Sequence, residues 1–131
     1  MATTYTDMNR DRDVARDETS TLIASDKVEG ASVYGPDGDK IGSIVNVMIE
    51  KISGRVSYAV LSFGGFWGMG TDHYPLPWSM LKYDVDKGGY LVNITREQLE
   101  GAPRYADKDS WEWTPGMRGE IDEHYRPYAV I

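Results

Sequence analysis

Two prolines spaced two residues apart, Pro75 and Pro77, interrupt the apolar segment HYPLPWSML (73–81). Proline has no backbone N–H, and residues two apart on a strand direct their backbone groups to the same side. A strand carrying both prolines can therefore donate hydrogen bonds only from its other side. That places it at a sheet edge or a bulge. The rest of the chain is read around this one restricted strand.

Upstream, turn residues recur between short apolar runs. Gly35-Pro36-Asp37-Gly38-Asp39 predicts a sharp turn, with proline fixing φ and Gly38 free to adopt φ > 0. It predicts a hairpin between strands near 31–34 and 40–50. Val45, Val47 and Ile49 alternate with Asn46, Met48 and Glu50, a period of two that predicts a strand with Val45, Val47 and Ile49 on the core face. Ser53-Gly54 predicts the next turn. A third strand follows over 55–63, with Val56, Tyr58 and Val60 inward and Arg55 and Ser57 outward. Downstream of the prolines, Asp86-Lys87-Gly88-Gly89 predicts a further hairpin turn into Tyr90–Ile94. Thr95 and Gln98 fit a capping box for a short helix that Gly101 and Pro103 stop. Many short strands with one brief helix predict an all-β barrel of about six strands.

The two ends of the chain differ from this middle. Residues 1–24 are polar and mixed in charge, a composition that buries too little surface to offset the entropy of ordering, so they predict a disordered tail. A short helix over 10–18 is the other reading. Residues 104–131 form an aromatic extension containing Tyr105, Trp111, Trp113, Tyr125 and Tyr128. Thr114-Pro115 predicts a helix over 115–125 with proline at its first position. Side chains burying on the order of 150–250 Å² each are costly to leave in water. The extension is expected to pack on the barrel or on a second subunit.

A chain of 131 residues is long enough for one domain with a real core. It contains no cysteine, which excludes disulfides, thiolate metal sites and cysteine nucleophiles. No window approaches the roughly 18 apolar residues of a membrane helix, and the first residues lack the apolar centre of a secretion signal. A cytoplasmic protein is expected. The formal charge of −7 is spread along the chain without a basic stripe, which disfavours nucleic acid as a partner.

The segments VEGASVYGPDGDKIGSIVNVMIE (28–50), SGRVSYAVLSFGGF (53–66), YPLPW (74–78) with Leu81, and GGYLVNITREQLEGAP (88–103) together resemble the PRC-barrel family. This is the barrel shared by the photosynthetic reaction-centre H subunit and a ribosome-maturation factor. HYRPY (124–128) resembles the aromatic tail of its stand-alone bacterial members. The resemblance covers residues 25–103. It implies a small β-barrel acting as a non-catalytic adaptor, and it implies no cofactor. The specific roles of the two named proteins do not carry over, because this sequence has neither the H subunit's membrane helix nor the maturation factor's additional N-terminal domain.

Candidate sites divide along the same lines. The loop GGFWGMG (64–70) lacks the lysine and the following helix that a phosphate-binding loop uses, so its glycines read as a tight connection. Phe66, Trp67 and Met69 are expected to meet a protein surface, together with Trp111, Trp113, Tyr125 and Tyr128. His73 and His124 lack the convergent partners of a metal site or a general base. Asp37 and Asp39 fit a turn, without the twelve-residue pattern of a calcium loop. No catalytic constellation stands out. The expected function is a protein-interaction module that binds a protein partner or a second copy of itself. A barrel that binds a small ligand or ion near His73 is the alternative.

Overall fold

The computed structural model describes residues 21–63, 72–106 and 111–128. The expected tail falls largely on residues 1–20, outside the described residues. A single helical turn, α1 (Ser25–Val28), precedes six strands: β1 (Ser32–Tyr34), β2 (Lys40–Ile49), β3 (Val56–Phe63), β4 (Asp72–Pro77), β5 (Lys82–Asp84) and β6 (Gly89–Leu91). A 3-10 turn at Trp78–Met80 joins β4 to β5. The helices α2 (Arg96–Glu100) and α3 (Pro115–Tyr125) complete the described fold.

The strands form one sheet in the order β4-β3-β2-β1-β6-β5. All pairs are antiparallel except β1 with β6. The first hairpin turns at Gly38, whose φ of 87° is open to glycine at little cost. Gly35 N–H donates to the Asp39 carbonyl at 2.9 Å and closes the loop. The six expected strands, the short helix after the last of them and the helix of the extension are all present, but they make only part of the expected all-β barrel. Among the described residues no ladder joins β4 to β5, so the sheet is open, and helices contribute to the same core.

The open edge follows from the proline pair. β4 pairs with β3 alone, Val60 facing Pro75 and Tyr58 facing Pro77. His73 lies in the same alternation as the prolines, and its N–H points away from β3 to the Tyr105 carbonyl at 2.8 Å. Positions 75 and 77 thus face outward with no donor to offer a seventh strand. Tyr105 N–H returns a 3.0 Å bond to the His73 carbonyl and covers the one outward position that has both groups.

Strand β3 is interior to the sheet, and Tyr58, Ala59, Val60 and Leu61 are all buried, on both faces. The alternation expected there is not seen, since Val56 and Ser57 are both partly buried and the next four residues are all buried. In β2 the expected face is corrected. Ile44 pairs with Leu61 and Asn46 with Val60, so Val45 is an extra residue, a bulge. A second irregularity separates Met48 from Ile49. Each one resets which side chains face inward, leaving Val45 41% and Ile49 52% exposed while Val47 is partly buried.

Both expected helix starts are present. Thr95 Oγ1 accepts from Gln98 N–H at 3.2 Å while Gln98 Oε1 accepts from Thr95 N–H at 2.9 Å. Thr114 Oγ1 accepts from Met117 N–H at 3.0 Å, and Pro115 opens α3. That helix packs on β4 and sends Ile121 (0% exposed) and Tyr125 (1%) into the cluster shared with Val33, Ile44, Leu61 and Leu76. Burying one such side chain contributes about 2 kcal/mol. At the opposite boundary, Ile23 packs partly buried on the same cluster.

Gly42 marks the tightest approach in the sheet. A Cβ there would collide with the Ser62 carbonyl oxygen and stand 3.0 Å from Leu61 Cδ1. Gly42→Ala is expected to lower the unfolding free energy by about 2 kcal/mol in urea titrations. The Tyr125 hydroxyl is buried with no hydrogen-bond partner among the described residues. Burial, then the nearby Tyr74, pushes its pKa upward. A phenol raised in this way stabilises the fold below its unfolded value and loses that contribution as pH rises through its folded value. Stability should therefore fall above about pH 10. Tyr125→Phe should raise the neutral-pH stability by about 1 kcal/mol and make the alkaline decline shallower.

Candidate interaction surface

The β2–β3 turn and the start of α3 stand side by side. Between them lies a cavity of about 290 Å³ whose walls include Met48, Ile49, Ile52, Tyr58 and Trp113, with Glu50 and Arg118 at its polar side. The turn exists because Gly54 adopts a φ of 78° and donates to the Glu50 carbonyl at 2.8 Å. Ile52 at its tip is 100% exposed, and Ile49 stands half-exposed where the second β2 irregularity turns it outward.

A polar clasp ties the turn to the helix. Arg118 Nη2 meets Glu50 Oε2 at 2.8 Å, and Ser57 Oγ donates to the same oxygen at 2.9 Å. The Ser57 hydrogen bond, followed by Arg118, holds the Glu50 carboxyl below the usual carboxylate range. The Arg118 guanidinium also lies 5.4 Å from the Tyr58 ring centre. Tyr58 OH donates to Asp122 Oδ1 at 3.0 Å, and burial raises its pKa. Tyr58 therefore presents an apolar face to the cavity while its hydroxyl is used by the helix.

From Tyr58 a row of aromatic rings crosses to the β4 edge. Centroid separations are 5.2 Å to Trp113, 5.6 Å from Trp113 to Trp111, 4.7 Å from Trp111 to Tyr105, and 5.2 Å from Tyr105 to His73. The two tryptophans meet edge to face while Trp111 and Tyr105 stack, arrangements that suit the ring quadrupoles. The residues are far apart in sequence, and the Tyr105–His73 backbone bridge brings them together.

The expected contact residues separate accordingly. Trp113 lines the cavity and Trp111 supports it from behind, both partly buried. Tyr125 is a core side chain with no surface to offer. Tyr128 is partly buried beside the His124 ring at 6.4 Å. Phe66, Trp67 and Met69 lie outside the described residues. His73 stacks on Tyr105 and His124 packs edge-on against Tyr125 at 4.8 Å. Among the described residues no three His, Cys, Asp or Glu side chains gather where a metal ion could be held. No described helix is long and apolar enough to cross a membrane.

Sequence reasoning missed Ile49, Ile52, Glu50 and Arg118. An isoleucine inside the turn KISG was the available signal for Ile52, since a turn tip cannot bury it. The Glu50–Arg118 pair joins positions 68 residues apart, and nothing local announces it.

Because the Glu50 pKa is depressed, its contribution is present above the unfolded carboxylate value and is lost as pH falls through the folded one. Urea midpoints should decline below about pH 4. Glu50→Gln should flatten that decline. Arg118→Met should flatten it only in part, because the Ser57 hydrogen bond remains.

Comparison with known proteins agrees with this architecture. Over 76 residues the chain is 29% identical to an uncharacterized protein of Deinococcus radiodurans. The alignment covers 58% of this chain and 27% of that protein, so the chain spans about a quarter of its relative's length. The PRC-barrel domain matches residues 20–99, from just before α1 into α2. That match takes in more than half of the chain and all six strands, and the chain belongs to the PRC-barrel domain family.

Proposed function

We propose that the chain is a non-catalytic protein-interaction module whose contact surface is centred on Ile49, Ile52 and Trp113. The observation that carries this reading is the fully exposed Ile52 beside an aromatic-walled cavity. Large apolar side chains in water around a concave aromatic wall are the usual anchoring geometry of an interface. The clasp supports a binding role over a chemical one. Ser57 and Arg118 both engage Glu50 Oε2, and Tyr58 OH donates to Asp122 Oδ1, so each of these carboxylates is tied to a neighbour.

Trp111 serves the surface as backing and Tyr125 serves it by seating α3, while Tyr128 lies beside His124 past the other end of that helix. Phe66, Trp67 and Met69 belong to the same interaction role as a second apolar group. The occurrence of a similar unit within a protein about four times as long as the aligned segment supports use as a module.

Ile49→Ser with Ile52→Ser should leave the urea stability within about 0.5 kcal/mol, because both side chains are already in water. The same pair should sharply reduce adducts formed by a photo-crosslinking residue placed at Lys51, whether to a partner protein or to a second copy. Adduct yields equal to those of the unmodified surface, with the fold intact, would refute this surface as the site.

A further inference from the structure

The same groove has a charge character opposite to that of the protein as a whole. The chain carries 21 acidic and 14 basic side chains. The one acid in the cavity wall is engaged, Glu50 being held by Arg118 and Ser57, and Asp122 behind it accepts from Tyr58. Two cations on the same turn, Lys51 and Arg55, have no ion-pair partner among the described residues. Lys51 is on the cavity wall, next to the exposed Ile52. Arg55 closes the turn with its carbonyl, which accepts from Glu50 N–H at 2.8 Å and leaves its side chain exposed in solvent.

We propose that this groove accepts an acidic peptide segment with apolar anchors, taking the apolar side chains between Ile52 and Trp113 and the flanking carboxylates on Lys51 and Arg55. The proposal rests on the interaction-module reading and adds the chemistry of the occupant. Three features point the same way. The cavity of about 290 Å³ has room for one or two apolar side chains, and Met48, Ile49, Ile52, Tyr58 and Trp113 make most of its wall, with Lys51 among them. The unpaired positive charge lies at the rim, where exposed charges steer encounter and select partners by sign. A basic segment would meet in the cavity wall a Glu50 carboxylate that Arg118 and Ser57 already hold. A second copy of the chain is a weaker occupant, since two bodies of formal charge −7 repel.

A library of random twelve-residue peptides displayed on phage, panned on the whole protein, tests this directly. Enriched peptides should combine Leu, Ile, Phe or Trp with a clear excess of Asp and Glu. On titration with a selected synthetic peptide, amide shifts should concentrate at Ile49, Ile52 and Trp113. Affinity should fall as salt rises, and Lys51→Glu with Arg55→Glu should weaken it about tenfold. Neutral or basic peptides bound in the groove would overturn the charge assignment and leave the interaction reading standing. Acidic peptides bound elsewhere, or an affinity unaltered by the double reversal, would likewise overturn it. If no peptide is enriched, the peptide proposal fails, and the interaction reading stands or falls on the crosslinking at Lys51.

Discussion

The arrangement depends on an edge that cannot grow. With Pro75 and Pro77 facing outward and His73 taken by Tyr105, β4 has no outward donor left to pair with another strand. The sheet consequently stops there, and a helix seals the adjoining apolar surface. Helix α3 is suited to that task because Ile121 and Tyr125, four residues apart, lie on one face and reach the core together. The proline pair thus determines where the aromatic extension can sit, and the extension in turn completes the core.

Seating α3 on β4 brings its beginning to the far end of the β2–β3 hairpin. Arg118 and Trp113 then meet Glu50 and Tyr58, residues of the turn and of an interior strand. The clasp is half-exposed, and an ion pair of this kind contributes little to stability in water. Its larger effect is positional. It holds the helix start against the turn, while Tyr58 directs its hydroxyl to Asp122 and keeps its ring for Trp113. Core packing supplies the stability, and the clasp sets the shape of the cavity.

What could be read from the chain was local. Thr95 with Gln98, Thr114 with Pro115 and the glycine turns at 38, 54 and 88 each act within a few residues, so their outcome needs no knowledge of the tertiary fold. The PxP edge belongs to the same group. Sheet closure and the inward face of β2 did not. A bulge at Val45 depends on how two strands accommodate each other, and a period of two drawn through the second irregularity, between Met48 and Ile49, puts Ile49 on the wrong side. The candidate surface was half legible. Trp111 and Trp113 were visible as a costly aromatic payload, but their partners Tyr58, Glu50 and Ile52 come from a hairpin more than fifty residues earlier in the chain.

The contrast between Tyr125 and Ile52 shows how such a unit separates folding from recognition. Both are large apolar side chains next to polar neighbours, and composition alone ranks Tyr125 as the better interface residue. Yet Tyr125 is enclosed by the sheet and α3, whereas Ile52 stands on a turn whose backbone is satisfied without it. Truncating the ring of the first opens a hole in the core; replacing the second leaves every described hydrogen bond of the turn in place. On the proposed reading, that division lets residues at the turn tip and rim change with a partner while the sheet stays the same. Lys51 and Arg55, without an ion-pair partner among the described residues, are in the part of the fold where such change is least costly.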